Sequence, residues 1–219
     1  MKKLALLAAA LLFIMAATPD RKPRILIIGD SISMGYTPFV KALFQDVAAV
    51  IRPDENCSGT LYGVKKIDEW LALGDGKWDV IHFNFGLHDL KHVDPATGQA
   101  SKDPAHPNGQ TPAQYAANLE TMIARMQKTG ARLIFATTTP FHGIQPNPYR
   151  DSTQVAVYNA AAVEVCKRHG VAVNDLCGYV LAHPDMMRKN NVHFFTAGSR
   201  ALSDRVCNAV LKELDVRGK

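Results

Sequence analysis

Apolar runs mark out this chain, each ending at glycine or in a polar cluster. Residues 24–28 (Arg-Ile-Leu-Ile-Ile) stop at Gly29, residues 78–85 at Gly86, residues 132–136 in three threonines and Pro140, and residues 171–173 at Asn174-Asp175. A weaker run covers 47–51. Continuous apolarity, as opposed to alternation, marks strands buried on both faces. Helical periodicity fills the gaps at 38–47, 63–73, 111–128, 153–169 and 197–216. Thr111-Pro112 supplies a cap with proline in the first turn, and Gly170 supplies a C-terminal stop. Strands alternating with helices predict a parallel sheet covered on both faces. The longest irregular stretches, 91–110 and 141–151, follow strand C-termini, where open α/β sheets place their sites.

Length and charge narrow the picture. The 219 residues suit one domain, and 47% hydrophobic with 21% charged residues is ordinary globular composition. The chain opens Met1-Lys2-Lys3, and the next fourteen residues, to Ala17, carry no charge. A basic start, a short apolar run and small residues at its end predict a signal peptide over 1–17. The run is shorter than the roughly 20 residues of a spanning helix. No cysteine follows it closely, so no membrane anchor is expected in the mature chain, 18–219, which is expected to be periplasmic or secreted. Losing Lys2 and Lys3 lowers the net charge from +5 to +3. That balance lacks the basic stripe of a nucleic-acid binder. Export would permit one disulfide among Cys57, Cys166, Cys177 and Cys207. No CxxC pair is present.

Candidate chemistry gathers after the strands. Gly29-Asp30-Ser31-Ile32-Ser33 places a serine at a strand-to-helix turn, where helix N–H groups can face an anion. A serine nucleophile needs a base, and His193 in Asn191-Val192-His193 precedes the last helix. Asn56-Cys57-Ser58-Gly59 and Gly86-Leu87-His88-Asp89 complete an ordered set of four segments.

Together these segments resemble the GDSL-type, or SGNH, hydrolase family over nearly the whole mature chain. The resemblance implies an α/β fold: a three-layer, flavodoxin-like α/β/α sandwich with a central parallel sheet. It implies Ser31 as nucleophile and His193 as base, with an oxyanion hole from the N–H groups of Ser31 and Gly59. No cofactor or metal is implied.

The sequence departs from the family twice. The family's third block carries an asparagine where this chain has His88, which can still donate one N–H as a neutral imidazole. The family's aspartate, three residues before the histidine, is replaced by Asn190. Asn190 is expected to orient His193 without supplying charge, with Asp185 as another candidate partner. His82, His88 and His92, with Asp89 and Asp94, give only a weak metal pattern.

The resulting expectation is an exported serine esterase acting on O-acyl, chiefly acetyl, groups of a small-molecule or polysaccharide ester. Two other readings stand beside it. One is a degenerate, non-catalytic glycan-binding protein. The other is an enzyme for another ester, such as a lipid ester, thioester or sulfate ester. The substrate-binding residues are not legible.

Overall fold

A computed structural model describes residues 21–215. The expected signal segment, 1–17, lies outside the described residues. In chain order the elements are β1 (Arg24–Ile28), α1 (Ser31–Leu43), β2 (Ala49–Ile51), α2 (Thr60–Leu71), β3 (Val80–Phe83), α3 (Pro112–Gln127) and β4 (Arg132–Ala136). There follow β5 (Ile144–Pro146), β6 (Tyr149–Asp151), α4 (Gln154–His169), β7 (Ala172–Asn174), α5 (Leu176–Leu181), a 3-10 turn (Pro184–Met186) and α6 (Thr196–Asp215).

The central sheet has the order β2-β1-β3-β4-β7, and every pairing in it is parallel. Ile25 to Ile28 are fully buried, as are Ile81, Phe83 and Phe135. This is why these strands show as unbroken apolar runs. Helices α1 and α6 pack together on one side of the sheet, and α2, α3 and α4 pack in series on the other. The fold is therefore the expected three-layer α/β/α sandwich. Strand order reverses between β1 and β3, which opens a crevice at their C-terminal ends.

Two helices begin earlier than their periodicity indicates, and capping explains both. Asp30 accepts the N–H of Ile32 at 2.9 Å, so α1 starts at Ser31 and encloses Pro38. The proline removes one rung, the N–H that would reach the carbonyl of Met34. Helix α2 starts at Thr60 because Asp89, beyond β3, accepts the Thr60 N–H at 2.9 Å and its hydroxyl at 2.6 Å. A cap supplied from a distant segment leaves no local signature.

Gly86 is required by close approach. Its φ is +152°, and a Cβ there would lie 2.0 Å from the Thr138 hydroxyl oxygen. The loop after β3 is held by a small antiparallel hairpin, β5–β6. Tyr149 accepts the His92 N–H at 2.9 Å and donates its own to Ser101 at 2.8 Å.

The disulfide that export would permit is not formed, and all four cysteines are free thiols. They sit on four separate segments: the loop before α2, α4, α5 and α6.

Candidate active site

The end of β1 turns directly into α1, which puts Ser31 at the helix N-terminus with its side chain half-buried. Beneath it Asp30 is sealed, 1% exposed, and burial pushes its carboxyl up to about 6. Arg52 braces the turn from below, donating to the Gly29 carbonyl at 3.0 Å and the Ser33 hydroxyl at 3.2 Å. Ser33 is buried and donates to the Asp30 carbonyl at 2.7 Å. Of the two serines in the block, only Ser31 faces the crevice.

The loop before α6 brings His193 to it. The Ser31 Oγ lies 2.8 Å from His193 Nε2. On the far side of the ring, Nδ1 lies 2.6 Å from Asn191 Oδ1, and the same oxygen accepts the His193 backbone N–H at 3.0 Å. A backbone N–H can only donate, so the Asn191 amide must present its oxygen here. That oxygen cannot donate, so Nδ1 must carry the proton. Nε2 is then left as the acceptor for the Ser31 hydroxyl. This is the tautomer that removing a proton from Ser31 requires.

The partner of His193 is thus Asn191, and the expectation for Asn190 is corrected. Asn190 is exposed and adopts a left-handed conformation, φ +51°, which asparagine tolerates better than most residues. It turns the chain so that Arg188 N–H can meet the His193 carbonyl at 2.9 Å. Asp185 lies in the exposed 3-10 turn and does not bond to His193 either. An asparagine accepting a backbone N–H two residues on is an ordinary Asx turn, so Asn-x-His was the signal that family spacing obscured.

Among the described residues, no carboxylate bonds to His193 or acts on it. Burial, Arg188 and Arg150 all hold its imidazole below the usual histidine range. It is a neutral base at rest, and the imidazolium formed during proton transfer would be stabilised only by the Asn191 dipole.

The remaining segments converge on the same crevice. Gly59 caps α2 with extended backbone, and a Cβ on it would meet the Asp89 carboxyl at 3.2 Å. Among the described residues, the N–H groups of Ser31 and Gly59 donate to no protein acceptor. His88 Nδ1 lies 3.2 Å from the Ser58 hydroxyl. Burial, then Lys91, Arg150 and His193, push His88 down to about 4, so its ring is neutral at neutral pH. If Ser58 donates to Nδ1, His88 Nε2 carries the hydrogen and becomes a donor. Ser58 holds a left-handed backbone, φ +56°, supported by its N–H on Asn56 Oδ1 at 2.9 Å. Such strain in a bonded loop is usual where a side chain must be aimed. Neither Ser58 nor Asn191 was singled out from the sequence.

A cavity of about 430 Å³ opens beside Ser31 and His193. Ile32, Phe39 and Phe194 line its apolar part, and Arg188, Thr196 and Ser199 its polar part. The weak histidine pattern disperses. His82 is sealed in β3, near Asn174, and His92 packs at a tilt against the Tyr149 ring. Among the described residues no group of three His, Cys, Asp or Glu side chains could hold a metal ion.

Fold and site define a hydrolase of the three-layer parallel type built around a serine–histidine pair. The model of the GDSL-like lipase/acylhydrolase family matches residues 27–201. The chain belongs to that family, and it is a carboxylic ester hydrolase. No curated protein matches the sequence. Solved structures share the fold at low identity. A lipase/acylhydrolase from Enterococcus faecalis is 22% identical with a TM-score of 0.67, over 86% of this chain and 95% of that one. An acetyl xylan esterase is 15% identical with a TM-score of 0.68, over 85% and 99%. A GDSL-like lipase from Bacteroides thetaiotaomicron is 12% identical with a TM-score of 0.65, over 86% and 88%.

Proposed function

We propose that this protein is an exported serine esterase that removes O-acyl groups, chiefly acetyl, from a carbohydrate. The observation that carries the catalytic part is the continuous bonding of Ser31 to His193 and of His193 to Asn191, which leaves Nε2 as acceptor. Ser31 attacks the ester carbonyl while His193 takes its proton. The N–H groups of Ser31 and Gly59, with His88, receive the negative charge on the carbonyl oxygen. Collapse expels the alcohol, which takes the proton back from His193 and leaves acyl-Ser31. Water, activated by the same imidazole, then releases the acid.

The finer assignment rests on lesser supports. The cavity mixes aromatic walls with hydroxyl and guanidinium groups, as a sugar ring needs, and is open rather than a long apolar tunnel. An acetyl xylan esterase shares the fold. The basic, then apolar, start of the chain supports export.

Acetate release from O-acetylated oligosaccharides by the purified protein tests this reading, with Ser31→Ala as the blank. Release by the native protein and none by the variant is expected. Equal release by both would remove Ser31 from the reaction and overturn this reading, and no release from any short-chain ester would overturn it in favour of a binding protein.

A further inference from the structure

Three cations gather around the crevice among the described residues. Arg150, on β6, is 8% exposed, and its Nε donates to the Leu87 carbonyl at 2.7 Å, next to His88. Its terminal nitrogens donate to no protein acceptor among the described residues. They are also absent from the sealed, unbonded polar atoms, so they keep some exposure to solvent. Lys91 is half-buried on the same loop as His88. Arg188 is exposed and lines the cavity with Ser31 and His193, held by its Nε on the Phe194 carbonyl at 3.0 Å. None of these three cations belongs to a salt bridge among the described residues. The nearby carboxylates, Asp30 and Asp89, are each 1% exposed and occupied in capping α1 and α2. Anions are sealed under the floor, and cations form the part a ligand can reach.

We propose that Arg150, with Lys91 near it and Arg188 on the cavity wall, forms an anion-recognition subsite, and that the preferred ester carries a carboxylate or sulfate on its alcohol part. The buried Asp30 carboxylate acts on Arg150 from a distance without forming an ion pair with it, and a guanidinium held this deep with no directly paired anion is costly unless function provides one. Its planar fork suits bidentate pairing with a carboxylate or sulfate, which an ammonium could not reproduce. The electrostatics agree: every charged side chain that perturbs His88 or His193, namely Lys91, Arg150 and Arg188 apart from the histidines themselves, is cationic. A bound anion would offset them and supply the negative charge that Asn191 lacks. The inference rests on the esterase reading above and names its substrate class.

The test compares acetate release from three methyl glycosides: an O-acetylated glucoside, the matching O-acetylated glucuronide, and an O-acetylated glucoside bearing a sulfate. 4-Nitrophenyl acetate serves as the neutral reference. At low salt one anionic glycoside should exceed the neutral one by about 10-fold or more in kcat/KM, the scale of one charge-assisted hydrogen bond. Which arm wins separates carboxylate from sulfate. The preference should shrink in high salt, vanish in Arg150→Gln and be partly retained in Arg150→Lys. If Arg150→Gln does not fold, Lys91→Gln and Arg188→Gln carry the test. Each should lower kcat/KM more for the anionic arm than for the neutral one. Equal rates for all three glycosides, or faster cleavage of the neutral one, would overturn the subsite and leave the esterase standing. So would hydrolysis of 4-nitrophenyl acetate with none of the anionic esters cleaved. No hydrolysis of any ester would remove both.

Discussion

Asn191 Oδ1 accepts two hydrogen bonds from His193, from the backbone N–H at 3.0 Å and from Nδ1 at 2.6 Å. One oxygen therefore fixes both the loop and the tautomer of the base. In a serine protease, replacing the triad aspartate by asparagine costs about 10⁴ in kcat, because the amide can present its N–H₂ and select the wrong tautomer. Here the backbone N–H holds the amide in the useful orientation, so the site keeps the geometry and lacks only the charge.

Asn191→Asp should accordingly raise kcat on a short acetyl ester, since a carboxylate beside Nδ1 stabilises the imidazolium. Asn191→Ala frees the ring and should lower kcat by about 10²-fold, the low end of acid–base contributions. Asn190→Gly, at a turn with φ +51°, should leave kcat unchanged. Steady-state kinetics on the three variants check this. Loss of activity in the Asn190 variant with an unaffected Asn191 variant would reverse the assignment.

Ser58→Gly should separate aim from stability. It removes the hydroxyl on His88 Nδ1 and relieves a left-handed backbone that costs most side chains about 1–2 kcal/mol. The melting temperature should hold or rise while kcat falls. His88→Ala, which removes the donor itself, should cost roughly 10²–10³ in kcat. A Ser58→Gly enzyme with full kcat would remove Ser58 from any role in orienting His88.

The pH profile follows from the neutral base. Burial and two arginines lower the His193 pKa, so the acid limb of kcat/KM on a neutral ester should have its midpoint below 6.5. Arg188→Gln removes one of those cations and should move the limb upward. Asn191→Asp should move it upward further, because a raised imidazole pKa means the base form is lost at higher pH. A midpoint at or above 6.5 in the native protein would contradict this.

Stability should respond to Asp89 with the opposite sign to a surface carboxylate. Burial raises Asp89 to about 6, above the value of 3.8 from which it is shifted. The folded state thus holds a proton that the unfolded state has lost between those values, and stability contributed at low pH is lost as pH rises through 6. Asp89→Asn keeps an acceptor for Thr60 and removes the titration. Its melting temperature relative to the native protein should be more favourable at pH 7 than at pH 4.5, by about 2–4 °C per kcal/mol. A difference independent of pH would mean that Asp89 ionises normally.

Much of the architecture was readable because burial on both faces writes itself into composition. The runs at 24–28 and 132–136 became β1 and β4 with the same bounds. Gly86 marked the end of a strand because no Cβ fits against Thr138. Helix starts were less legible. The α1 turn combines a site and a cap in the same three residues, and the α2 cap comes from Asp89, about thirty positions away. The hairpin β5–β6 was read only as a long irregular stretch.

Ser31, Gly59, His88 and His193 were legible through the ordered set of four blocks that resembles the family, and parallel sheets expose the strand ends that carry those blocks together. Which neighbour holds the histidine was decided by the tertiary structure. Family spacing pointed to Asn190, but a left-handed turn there sends Asn191 to the ring. The grouping of cations around the crevice was likewise invisible. Lys91, Arg150 and Arg188 are far apart in the chain and lie on different segments. Only the docking of β6 against the loop after β3 brings a buried guanidinium beside His88, because Leu87 offers its carbonyl to Arg150 Nε. Patterning determines which segments are buried, and a long-range hydrogen bond that no pattern announces determines that Arg150 is held beside His88.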